Sequence, residues 1–225
     1  MLTDAPARTR VKICGITRVE DGIAAARAGA DAIGLIFWPG TPRCVSFEQA
    51  RAIIAALPAF VTAVGLFVDP DPDAVHVALA AVPLDLLQFH GDEPPELCAS
   101  FGRPYIKAVP VKPGNDLLQY AGRFSGARAL LFDAFQPGGT PGGTGATFDW
   151  TQLPPQLTDA SPHRLILSGG LNPGNVGAAI RQVRPWGVDV SSGVEVTGDD
   201  GRPRKGIKSS TKISAFLREV RSADG

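Results

Sequence analysis

Arg10-Val11-Lys12-Ile13-Cys14-Gly15-Ile16-Thr17, followed by the alanine-rich run from Arg18 to Ala30, sets the pattern for the whole chain. Val11 and Ile13 alternate with Lys12 and Cys14, so a strand here puts the aliphatic pair on one face and the amine and thiol on the other. Gly15 ends the strand. From Arg18 onward Val19, Ile23 and Ala26 recur at helical spacing and Gly29 supplies a stop signal, which completes a first strand-helix unit. A nearby ammonium favours thiolate over thiol, so Lys12 and Cys14 read either as a reactive couple or as a small buried cysteine beside a snorkelling lysine.

The same unit recurs down the chain. Apolar runs at 32–38, 61–68, 84–90, 105–111, 129–135, 164–168 and 187–191 read as strands; helical patterns at 46–57, 71–81, 94–101, 115–121, 173–181 and 210–220 separate most of them. Ser46 is placed to cap its helix, and Pro72 and Pro94 or Pro95 to open theirs. The strands are too continuously apolar for one-sided antiparallel sheets. About eight such units make a single parallel (β/α)8 barrel over residues 10–225, preceded by a loose leader at 1–9. The alternative is an open doubly wound sheet, but no G-x-G-x-x-G follows the first strand, and the glycine turns gather after the last two. Pro137 to Gly145 is a long glycine-rich loop that reads as a lid.

Composition narrows the function. The chain has 225 residues, 44% of them hydrophobic, with 22 basic and 22 acidic side chains. The balanced charge gives no reason to expect nucleic acid or an anionic membrane as partner, and no apolar run is long enough to span a bilayer. Cys14, Cys44 and Cys98 are an odd set at irregular spacing and build neither a disulfide framework nor a metal site. A cytoplasmic protein acting on a small molecule, without metal or cofactor, as a monomer or a homodimer, is the expectation. Cys44 and Cys98 read as packing residues.

In a barrel the helix-facing side of each strand is apolar, so the polar members are expected inside. That assigns Lys12, Cys14, Gln88, His90, Lys107, Asp133, Asp189 and Ser191 to the interior. The first and eighth strands are neighbours, so Lys12 and Asp189 are expected to pair. Cys14 and Asp133 end their strands at the carboxyl edge, where barrels place reactive groups. His90 sits at the same rim and reads as a hydrogen-bonded residue that shapes the pocket.

Two glycine turns follow the last two strands: Ser168-Gly169-Gly170-Leu171 and Ser191-Ser192-Gly193-Val194. Glycine lets backbone approach a ligand closely, and exposed N–H groups carry positive partial charge. Gly169, Gly170, Ser191, Ser192 and Gly193 are therefore the expected phosphate site. Arg43, after the second strand, is a planar donor suited to a carboxylate.

Several of these motifs together resemble the phosphoribosylanthranilate isomerase family. They are Lys12-Ile13-Cys14-Gly15-Ile16-Thr17, Gln88-Phe89-His90-Gly91, Gly142-Gly143-Thr144-Gly145 with Phe148-Asp149-Trp150, Gly169-Gly170-Leu171, and Gly187-Val188-Asp189-Val190-Ser191-Ser192-Gly193-Val194-Glu195. The resemblance implies a phosphosugar substrate, N-(5′-phosphoribosyl)anthranilate, and its Amadori rearrangement in tryptophan biosynthesis. It implies Asp133 as general acid, Cys14 as general base and Arg43 as the holder of the anthranilate carboxylate, with Lys12, Gln88 and His90 also at the substrate. A free aspartic acid titrates near about 3.9 and a free thiol near about 8.5, so the chemistry asks an unusual state of both. Thr41, Phe89 and Ser168 depart from the family's usual residues without touching a reacting group. Residues 197–210 depart further, and they read as a solvated loop in which Lys208 has no role. A related barrel of the histidine pathway would carry an aspartate where Cys14 stands, and a silent phosphate-binding barrel would not need the Cys14 and Asp133 set.

Overall fold

The computed structural model describes residues 8–112, 114–135, 145, 147–157 and 164–225. Eight strands follow one another around a closed barrel: β1 (Arg10–Cys14), β2 (Ala32–Ile36), β3 (Thr62–Phe67), β4 (Leu86–Phe89), β5 (Tyr105–Val111), β6 (Ala129–Ala134), β7 (Arg164–Leu167) and β8 (Gly187–Val190). Every neighbouring pair is parallel, and β1 closes on β8 with Lys12 opposite Asp189. Between them run α1 (Val19–Ala28), α2 (Phe47–Ala55), α3 (Pro72–Ala81), α4 (Pro95–Ala99), α5 (Leu117–Arg123) and α6 (Val176–Val183), and α7 (Ser210–Asp224) ends the chain. The open doubly wound alternative is thereby excluded. Between β6 and β7 the described connection holds two short 3-10 turns, Trp150–Gln152 and Pro155–Leu157. Of the lid expected at 137–145, residues 137–144 lie outside the described residues.

Local chemistry places the boundaries. Ser46 caps α2 in a full capping box with Gln49, as its position suggests. The helix expected from Pro173 starts later, at Val176. Asn172 accepts from the Gly174 N–H, and Asn175 accepts from the Asn172 N–H. These side chains offer the backbone a turn instead of a first helical turn. At the other end, Arg8 pairs with Asp31 and Thr9 bonds to Asp224, so the last two residues of the expected leader are fastened to the barrel. Residues 1–7 lie outside the described set.

Two expectations need correction. Lys107 faces the helices, not the barrel interior. The register sets it level with Phe89 and sets its neighbour Ile106 level with Gln88; Ile106 joins Ala108, Leu131 and Ile166 in the inner core. The amine is accommodated there because Glu93, in the loop after β4, meets it at 2.7 Å, with both side chains fully buried. The second correction concerns 197–210, where an antiparallel hairpin replaces the solvated loop: β9 (Glu195–Thr197) pairs with β10 (Pro203–Lys208). Asp199-Asp200-Gly201 is its turn, closed by the Gly198 N–H donating to the Arg202 carbonyl. That turn returns the chain to the barrel mouth and buries Lys208, which is 3% exposed.

Candidate active site

β1 ends with Cys14 at the barrel mouth, 5% exposed. Space for its sulfur is made across the sheet, because a Cβ on Gly34 of β2 would stand 2.7 Å from the Cys14 Sγ and 3.1 Å from its Cα. Gly34→Ala should therefore displace the thiol. One layer below, Lys12 donates to Asp189 at 2.8 Å, as expected from the closure of the barrel. Burial weighs against the Lys12 charge, but Asp189 and Cys14 outweigh it and hold the ammonium above the ordinary lysine range. Burial pushes the Cys14 thiol up, Lys12 pulls it down, Asp189 pushes it up again, and the balance lies above an ordinary cysteine.

Asp133, near the end of β6, lines the same pocket as Cys14. Its Oδ1 accepts from the Ala134 N–H at 2.9 Å, and its Oδ2 lies 3.1 Å from His90 Nε2. The Gln88 amide nitrogen lies 2.9 Å from His90 Nδ1. An amide nitrogen only donates, so Nδ1 accepts and the proton sits on Nε2, aimed at Asp133. Gln88 is fully buried and holds His90 from below; His90 lines the pocket.

The two glycine turns, after β7 and β8, line the same pocket between the ends of β6 and β1, with Ser168, Gly169, Gly170 and Leu171 from one and Ser191 and Ser192 from the other. Gly169 has φ +85°, and a Cβ there would stand 2.8 Å from the Ala134 nitrogen, so only glycine lets this turn lie against the end of β6. Asn172 and Asn175 both donate to the Gly170 carbonyl and tie it to the start of α6. Gly193 is not on the pocket wall: it lies behind, packed against Leu171, where it lets the two turns touch. Lys12 and Gln88 are likewise behind the wall, supporting Cys14 and His90.

Arg43 lines the pocket from the loop after β2, and its Nε and Nη2 grip both oxygens of Glu195 at 2.7 and 2.9 Å. Glu195 accepts also from Lys208 Nζ at 3.2 Å and from the Gly206 N–H at 2.8 Å. Sequence reasoning gave neither Glu195 nor Lys208 a role. The available signal was an acidic side chain directly after the apolar Gly193-Val194 step of the second turn.

With the geometry in place, likeness to known proteins is specific. The profile of the family described as N-(5'phosphoribosyl)anthranilate (PRA) isomerase matches residues 11–219. The N-(5'-phosphoribosyl)anthranilate isomerase of Pseudomonas fluorescens (strain SBW25) is 55% identical over 216 residues, 96% of this chain and 97% of that one. The solved structure of the Thermotoga maritima phosphoribosyl anthranilate isomerase superposes with a TM-score of 0.83 at 39% identity, over 95% of this chain and 99% of that one. A further structure of the isomerase, in complex with reduced 1-(o-carboxyphenylamino)-1-deoxyribulose 5-phosphate, superposes with a TM-score of 0.80 at 38% identity, over the same shares. A closed parallel barrel with this motif order and matches over nearly its whole length leaves one assignment: the chain belongs to the N-(5′-phosphoribosyl)anthranilate isomerase family, whose reaction is the aldose-to-ketose rearrangement of that phosphosugar in tryptophan biosynthesis.

Proposed function

We propose that Cys14 and Asp133 carry out this rearrangement as general base and general acid. Asp133 gives a proton to the furanose ring oxygen as the C1′–O4′ bond breaks, and the anthranilate nitrogen lone pair forms the C1′=N iminium. The Cys14 thiolate then takes the C2′ proton; the C2′–H electron pair forms C1′=C2′, and the C1′=N π pair returns to nitrogen as its lone pair, which neutralises the iminium. The enol loses its hydroxyl proton and C1′ gains one, which yields the ketose. Each proton transfer of this kind is worth roughly 10² to 10⁴ in rate.

The observation that carries the reading is convergence: Cys14 and Asp133 line one pocket, with the two glycine turns between them. The Ser168-Gly169-Gly170 and Ser191-Ser192 turns suit the 5′-phosphate, with Gly193 packing them together. Arg43 suits the anthranilate carboxylate, and Ile36, Trp38 and Leu66 offer its ring an apolar wall on the same side. Lys12 and Gln88 act through Cys14 and His90. That a relative was solved with the reduced ketose phosphate bound supports a phosphosugar as the ligand here. All these groups come from one chain, and its three free cysteines suit a reducing cytoplasm. Among the described residues no helix is long and apolar enough to cross a membrane.

The pH profile of kcat/KM tests the base. A thiol raised by burial must lose its proton, so activity should climb with pH along a limb set above the ordinary cysteine range. Lys12→Met removes the cation that pulls this pKa down and leaves Asp189 to push it up, so the limb should move to higher pH. A limb that stays in place, or moves to lower pH, would take Cys14 out of the role.

A further inference from the structure

We propose that Glu195 and Lys208 are positioning residues that lock the carboxylate-binding arm of the site to its phosphate-binding arm. The inference rests on the reading of Arg43 and the Ser191-Ser192 turn given above. Glu195 stands at the start of β9, fully buried, directly after the second turn. Its bidentate grip fixes the plane of the Arg43 guanidinium, and such fork-to-fork pairs are directional as well as strong. Lys208 reaches in from β10 and spends its amine on three acceptors: Glu195 Oε1, the Ser191 carbonyl at 3.0 Å and the Ser191 hydroxyl at 3.3 Å.

The hairpin that delivers Lys208 is itself latched to the β1 loop. Thr17 donates to the Gly206 carbonyl, and the Lys208 N–H donates to Asp21 at 2.9 Å. Loops after β1, β2 and β8 are thereby one cross-linked unit. Among the described residues, its centre brings the Arg43 and Lys208 side chains to the Glu195 carboxylate, all buried. Burial opposes the Glu195 charge, yet Arg43 and Lys208 keep it a carboxylate well into acid; Lys208, the more desolvated, is held below the ordinary lysine range.

A merely structural pair would lose stability on mutation and leave substrate affinity alone. A positioning pair loses affinity by a pattern. Glu195→Gln keeps volume and removes the charge that orients Arg43; KM should rise about tenfold with kcat little changed, as when binding common to ground and transition states is removed. In an Arg43→Met background the same change should add nothing, since there is no guanidinium left to orient. Lys208→Gln should weaken inhibition by inorganic phosphate about tenfold, because the Ser191 turn is no longer held. Circular dichroism establishes that each variant is folded, and if Glu195→Gln is not, the phosphate measurement on Lys208→Gln decides alone. Full additivity with Arg43→Met, or lowered melting temperatures with unchanged KM and phosphate inhibition, overturns the proposal. Should Arg43→Met itself leave KM unchanged, the carboxylate reading falls and this proposal with it; a raised KM in Arg43→Met beside a normal Glu195→Gln refutes the coupling only.

Discussion

Cys14→Ala should lower kcat/KM for N-(5′-phosphoribosyl)anthranilate by about 10² to 10⁴-fold, or about 3 to 5 kcal/mol of barrier. The variant deletes one sulfur atom and little else. Lys12 keeps its partner Asp189, so no buried charge is stranded and the barrel closure stays intact. What goes is the only cysteine on the pocket wall among the described residues. Cys98→Ala is the matched control: that thiol, on α4, is fully buried in the apolar core, its pKa pushed up to about 12 chiefly by burial, and it does not line the pocket that holds Cys14. It should cost some packing energy and no turnover. Near-normal turnover in purified Cys14→Ala would remove the thiol from the chemistry.

Asp133→Asn should cost a similar factor of about 10² to 10⁴, for two reasons that can be separated. The amide has no proton to give a ring oxygen. It is also mismatched to its neighbours: Asp133 accepts from the Ala134 N–H on one oxygen and from His90 Nε2–H on the other, and an Asn side chain has one acceptor and one donor for those two donors. One N–H is left facing another, so a stability loss of about 1 to 3 kcal/mol should accompany the lost activity. Asp133→Ala distinguishes the two effects. It removes the donor clash as well as the acid, so activity should stay as low. An Asn variant with wild-type kcat/KM would exclude Asp133 as the acid.

The barrel was legible because its signal is local and repeated. Val11 and Ile13 against Lys12 and Cys14, then a helical run, is a pattern that neighbouring residues carry by themselves. Closure followed from the count of units, and it brought Lys12 to Asp189 as the sequence suggested. Lys107 was misplaced because a period of two says that side chains alternate and does not say which set is inside; the rule that polar residues point inward fails when the helix side offers a partner, and Glu93 does. The hairpin and its Lys208 failed for another reason. Asp199-Asp200-Gly201 looks like any solvated turn, and the group that gives Lys208 a reason to be buried is Glu195, itself held by an arginine 152 residues earlier. No window of sequence contains that contact. Glu195 was visible within its motif, but its function depends on where Arg43 arrives.

In the proposed mechanism Cys14 and Asp133 each serve one step, and a deuterium at C2′ reads the steps apart. We would measure the isotope effect on kcat/KM for the wild type, Cys14→Ser and Asp133→Asn. A weak base at position 14 makes C2′ proton removal limiting, so Cys14→Ser should express an isotope effect larger than the wild type's. Loss of the acid makes ring opening limiting, so in Asp133→Asn the effect should shrink toward unity. The opposite pattern, an isotope effect suppressed in Cys14→Ser and enlarged in Asp133→Asn, would contradict the assignment.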